Sequence, residues 1–139
     1  MELEVFEILE QFGQQTTRAD KIKLLKANNI PAIRDVCRGA YDETLEFSLP
    51  EGKPPYNPNR PESVPSTLRK EHRNFGYFVK GLPQSEKITN MRRETMFIQL
   101  LESIHAEDAI IVLNMVAKKA PVKGLTKKIV EEAFPNLLS

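Results

Sequence analysis

Side chains able to do covalent or acid–base chemistry are few in this chain, and their spacing forms no familiar catalytic pattern. There are two histidines, His72 and His105, and one cysteine, Cys37. Zinc sites gather about four ligands in close pairs such as C-x2-C or H-x3-H. No such pair occurs, and neither does a GxGxxG or GxxxxGK[ST] phosphate loop or a GxSxG elbow. Cys37 with a distant histidine as base is the one nucleophile these residues would allow. It lies, however, on the apolar side of a predicted helix, where a small thiol is ordinarily core. His105 precedes an Ala-Glu-Asp helix start, and His72 reads as a hydrogen-bonded residue on the inward side of its helix. Glu107 and Asp108 fall in a first helical turn, where the dipole alone accounts for acids. The expectation is a binding protein with no catalytic residue, no metal site and no cofactor.

The chemistry that does stand out is cationic. Residues 69–93, RKEHRNFGYFVKGLPQSEKITNMRR, hold seven Lys/Arg against two acids and interleave Phe75, Tyr77 and Phe78. In a continuous α-helix Arg69, Arg73 and Tyr77 stand at i, i+4 and i+8 on one face, flanked by Lys70 and Lys80. With Arg92 and Arg93 they make a candidate binding surface. Cations that pair with phosphates beside an aromatic that stacks suit nucleic acid. An acidic protein surface selects the same face. The plainer alternative is a solvated helix face whose arginines pair with acids of the N-terminal half.

Two further segments are secondary candidates. KKAPVKGLTKK (118–128) carries five lysines, with no acid between residues 109 and 130. Lys127 and Lys128 open a helix, where cations oppose the dipole, and with Lys123 they could meet an external anion. The unit resembles a helix-turn-helix only superficially, since its second helix is short and bears Glu131 and Glu132. Pro54, Pro55 and Tyr56 could dock in a partner's aromatic groove. Alternatively they form a strap packed on their own domain, which is the reading we favour.

The elements that must position these residues are mostly helices. Leu3, Phe6, Leu9 and Phe12 mark a first helix. Thr17 caps a second with Ile22 and Leu25 inward, and Pro31 opens a third carrying Ala32, Ile33, Val36, Cys37 and Ala40. Leu45, Phe47 and Leu49 alternate with polar residues as a short extended piece. Residues 50–65 contain six prolines, which no helix or central strand tolerates. Helical spacing returns from Ser66 through Leu68, His72, Phe75 and Val79. GLPQSE then reads as a turn before a helix over 88–104, with Met91, Thr95, Ile98 and Leu101 in one row. A run nearly apolar all round after His105 marks a central helix, and Thr126 caps a last one. The expected fold is a compact, mostly α single domain of six or seven short helices. Helices at 1–43 and 66–139 are joined by an irregular proline-rich crossing at about 44–65. The expected core comprises Phe6, Leu9, Ile22, Leu25, Ile33, Val36, Phe75, Ile98, Leu101, Val112, Leu113, Val116, Ile129 and Phe134.

Composition narrows the class. A chain of 139 residues with 40% hydrophobic and 28% charged residues is ordinary for one globular domain. The lone cysteine allows no internal disulfide and fits a reducing compartment. The acidic N-terminus, MELEVFEILE, lacks the cations of a signal peptide, and no apolar run approaches the roughly 18 residues that span a bilayer. We therefore expect an intracellular protein without a membrane partner. Formal net charge is +1. Yet residues 1–68 hold 8 Lys+Arg against 11 Asp+Glu, while residues 69–139 hold 12 against 8. Either the two halves pack together or one face meets a polyanion.

Four stretches carry a resemblance: IPAIRDVCRGAYD (30–42), LPEGKPPYNPN (49–59), RRETMFIQLLESIHAEDA (92–109) and GLTKKIVEEAFPNLL (124–138). They resemble a family of small proteins of T-even-like tailed phages, notably those of marine cyanobacteria. The resemblance spans almost the whole chain and brings no assigned activity or functional residue with it. It implies a virus-encoded protein working in the cytoplasm of an infected bacterium, or packed in a virion. The leading expectation is an adaptor or inhibitor that binds a host or phage protein. The alternatives are a nucleic-acid-binding accessory of genome metabolism or transcription, and a structural virion component. Nothing in the residues selects an oligomeric state.

Overall fold

A computed structural model of the chain describes residues 2–139. Helix α1 (Val5–Gln14) buries Val5, Ile8, Leu9 and Phe12 along one stripe. A reciprocal capping box closes its N-terminus: the Glu4 side chain accepts from the Glu7 N–H, and Glu7 Oε1 accepts from the Glu4 N–H at 2.9 Å. Helix α2 (Arg18–Ala27) starts at Thr17, whose Oγ1 accepts the Asp20 N–H at 3.1 Å, as its sequence predicts. Helix α3 (Pro31–Tyr41) begins on its proline and buries Ala32, Ile33, Val36, Cys37 and Ala40. A Cβ on Gly39 would meet Met115 Sδ at 2.6 Å, so the missing side chain lets α3 lie close against the seventh helix.

After α3 the chain turns at Asp42, whose Oδ1 accepts from both the backbone and the hydroxyl of Thr44. The expected extended piece pairs only briefly. Phe47 and Val79 form an isolated antiparallel bridge, with the Ser48 N–H on Phe78 O at 2.7 Å and the Lys80 N–H on Glu46 O at 2.8 Å. The proline-rich crossing follows without regular structure. Asn59 Nδ2 donates to Glu102 O at 2.7 Å and Ile104 O at 2.8 Å, and the Ser66 N–H reaches Ser103 O. These bonds tie the crossing to residues 102–104, just past the end of a helix.

The second half contains α4 (Leu68–Glu71), a 3-10 helix (His72–Phe78), α5 (Pro83–Glu86), α6 (Asn90–Leu101), α7 (Ala106–Val116) and α8 (Lys127–Ala133). Helices α2 and α8 pack together, as do α3 and α7, and α1 touches both α2 and α7. The core is one contiguous cluster through these helices. The fold is thus mostly α and compact, with only the single bridge in place of a sheet among the described residues.

Four expectations need correction. The helix read from Ser66 to Val79 is α for one turn and 3-10 for the next seven residues. GLPQSE is not merely a turn, because Pro83 starts the single-turn helix α5. In α6 the inward face is Arg93, Phe97, Leu100 and Leu101, whereas Met91 is 77% exposed and Thr95 is exposed. Of the expected core, Phe6, Ile22, Ile98, Leu113 and Val116 are only half-buried. Phe6 stacks instead on the His105 ring, with centroids 4.2 Å apart.

Candidate functional site

The 3-10 helix decides how the cationic segment is displayed. Its buried residues are His72, Phe75 and Phe78, a strict spacing of three. Each 3-10 residue advances about 120°, so residues three apart are eclipsed and these three side chains stack on one inward line. Asn74 and Gly76 weaken any α-helical preference here, and burying two phenylalanines fixes the tighter winding. From Arg73 to Tyr77 the tighter winding turns the face by about 120°, where an α-helix would turn it about 40°. The single Arg69–Arg73–Tyr77 face therefore does not form. Arg69, Lys70 and Arg73 open into one cleft, and Tyr77 joins Arg92 in another.

The first cleft, of about 480 Å³, lies between the N-terminus of α3, residues Glu2 and Glu4, and the junction of α4 with the 3-10 helix. Arg69 is half-buried there. Its Nε donates to Leu3 O at 2.7 Å, and its Nη1 stands 3.8 Å from Glu2. Lys70 and Arg73 are exposed and form no ion pair among the described residues. His72 lines the same cleft and is only 8% exposed, its Nδ1 facing Asp35 Oδ2 at 2.5 Å. Its sequence reading as a hydrogen-bonded inward residue agrees with this geometry. Asp35 as its partner was not legible, because Asp35 lies a whole element away on α3.

The second cleft, of about 330 Å³, sits between the 3-10 helix and α6. Phe78, Met96 and Leu100 supply apolar surface, with Tyr77 and Arg92 beside Asn74 and Gln99. Glu71 at its edge is held by Ser66 Oγ and Asn74 Nδ2, each at 2.8 Å.

The other sequence candidates separate. Arg93 is withdrawn from any external face: it is 4% exposed and donates to Ser85 Oγ at 3.0 Å, Ser85 O at 2.5 Å and Asn90 Oδ1 at 2.7 Å. It fastens α5 to α6. Lys80 is exposed with Glu46 at 3.5 Å, and Lys127 has Glu43 at 3.2 Å. Arg69, Lys80 and Lys127 thus all meet acids of the N-terminal half, as packing of oppositely charged halves requires. Lys123 and Lys128 are exposed. Lys118, though exposed, donates to Gly39 O at 2.7 Å and Asp42 O at 3.0 Å, and so caps the C-terminus of α3. Pro54 and Tyr56 are half-buried, Tyr56 packing against the core, while Pro55 is exposed. That arrangement is the strap rather than a free docking motif.

Two buried ionisable groups complete the inventory. Cys37 is 1% exposed, and burial pushes its thiol up to about 12, so it sits in the core as an unreactive neutral group. Asp108 is fully buried at the start of α7. Its Oδ1 accepts the Phe6 N–H at 2.8 Å, and its Oδ2 has no partner among the described residues. Burial, aided by Glu4, Glu7 and Glu107, raises this carboxyl to about 7 against the pull of the Phe6 N–H. The helix dipole is therefore not the whole account of Asp108. It joins the starts of α1 and α7. His105 keeps its expected place, its Nδ1 accepting the Glu107 N–H at 3.0 Å.

Fold and clefts together define a small, mostly helical protein that displays two open, cation-bearing concavities. Residues 8–121 match the model of a family of unknown function, DUF6433, and the chain belongs to that family. No curated protein and no solved structure matches it. No helix among the described residues is long and apolar enough to cross a membrane.

Proposed function

We propose that this is a phage-encoded, non-enzymatic binding protein that acts in the infected bacterial cell as an adaptor or inhibitor of a host or phage protein. The observation that carries this reading is the second cleft. There an aromatic, Tyr77, and an unpaired cation, Arg92, stand beside Met96 in a cleft of mixed polar and apolar lining, which suits a protein segment with an apolar anchor beside an acidic residue. Phage origin rests on the sequence resemblance alone.

A nucleic-acid partner is the weaker alternative. Affinity for a polyanion grows with the number of phosphates met, and the folded chain spends much of its cationic segment internally. Arg93 is buried, Arg69 is pinned, and Lys80 faces Glu46. The test is capture of partners from infected cells by the wild-type chain and by Tyr77→Ala/Arg92→Glu, with and without nuclease. A protein retained after nuclease and lost with the variant supports the proposal. Partners that vanish on nuclease treatment alone refute it in favour of nucleic acid.

A further inference from the structure

Three cations, Arg69, Lys70 and Arg73, line the first cleft beside the carboxylates of Glu2 and Glu4. Arg69 carries five N–H groups on a planar fork, and only Nε makes a hydrogen bond. Its neighbour Glu2 stands at 3.8 Å, outside hydrogen-bond reach, with its side chain 81% exposed and open to screening by solvent. Glu4 is committed to capping its own helix. Asp35 is taken by His72 Nδ1. Ile30 occupies the N-cap of α3 and offers no side-chain acceptor, and Pro31 has no N–H. The first-turn N–H of Ala32, at the cleft wall, therefore lacks an intrahelical acceptor. Lys70 and Arg73 add two cations at the rim.

We infer that this cleft binds the phosphate of a small phosphomonoester, the phosphoryl oxygens taking the Arg69 fork, the Lys70 and Arg73 cations and the start of α3. The lining draws donors from α3, α4 and the 3-10 helix, and a terminal phosphoryl group offers three oxygens where a carboxylate offers two. A volume of about 480 Å³ holds an organic substituent as well as the phosphate. A polymer backbone is disfavoured because the cations do not continue as a track: Lys80 faces Glu46 and Arg93 is internal. This site is separate from the Tyr77–Arg92 cleft and does not depend on what that cleft binds.

Amide chemical shifts of the full chain, titrated with inorganic phosphate, adenosine monophosphate and adenosine, test the inference. Phosphate and the monophosphate should both shift Ala32, Ile33 and residues 69–73, the monophosphate at lower concentration, while adenosine shifts none. Lys70→Ala/Arg73→Ala should weaken monophosphate binding about tenfold or more, since each charged contact is worth roughly that factor. Both residues are exposed and unpaired, so the thermal midpoint should not move. Arg69→Lys keeps the charge but loses the fork, and should weaken binding too. Absence of shifts at millimolar phosphate and monophosphate overturns the site. So does an unchanged affinity in the double variant. Binding of a short single-stranded oligonucleotide without binding of phosphate or monophosphate overturns it in favour of nucleic acid.

Discussion

At the scale of single residues, Asp108 makes the most specific demand on the folded state. Burial pushes its carboxyl up to about 7 in the fold from the ordinary aspartate value of 3.8, so the folded chain holds the proton more tightly than the unfolded one. The stabilisation this provides is complete below about pH 4 and is lost as pH rises through about 7. In the ionised form a fully buried carboxylate has only the Phe6 N–H for company, a deficit of a few kcal/mol. Asp108→Asn keeps an acceptor for that N–H and removes the charge. Thermal unfolding followed from about pH 5 to pH 8 should fall less steeply for the variant, which becomes the more stable protein at the alkaline end. Parallel profiles would mean that Asp108 does not titrate in this range.

Arg69 and Arg73 separate the structural from the surface role of the cationic segment. Arg69→Glu breaks the bond to Leu3 O and places like charge beside Glu2 and Glu4, so stability should drop by about 1–3 kcal/mol. Arg73→Glu should stay within about 0.5 kcal/mol of wild type, as exposed, unpaired positions do. Chemical denaturation of the two single variants reads this directly, and equal losses would contradict the geometry.

Between elements, the close approach of α3 and α7 at Gly39 is the contact most sensitive to volume. Gly39→Ala drives a methyl group toward Met115, which is itself fully buried and has little room to yield. The expected cost is about 1–3 kcal/mol of overpacking, seen as a lower denaturation midpoint. A variant as stable as wild type would show that the helices can part freely. Most element positions were legible beforehand because capping and breaking residues act locally: Thr17, Pro31 and Thr126 each begin the helix they announce. The candidate face was less legible. His72, Phe75 and Phe78 fit a period of three, but Leu68, His72, Phe75 and Val79 fit an α-helix equally well. Tertiary burial of the two phenylalanines decides between these periods. The inward turn of Arg93 was also hidden, because its acceptor Ser85 comes into place only once α5 has formed. His72–Asp35 and Phe6–Asp108 are long-range pairs with no local signature.

Over the whole molecule, the charged halves and the proline crossing act as fasteners. The crossing reaches the end of α6 through Asn59, and Lys118 closes α3 from beyond α7. Each tie links segments far apart in the chain, so the helices are held by ends as well as by faces. The crossing has a second consequence, for association between copies of the chain. Exposed β-edges recruit other chains and seed aggregates, and the Phe47–Val79 bridge is the one place among the described residues where extended backbone pairs. Pro50 follows that piece on one side, while Gly81 at φ 91° and then Pro83 follow it on the other. Five further prolines downstream remove the N–H groups that a growing ladder needs. The bridge is thereby kept too short to template a fibril, and the segment that ties the helices together also guards the chain against edge-to-edge association.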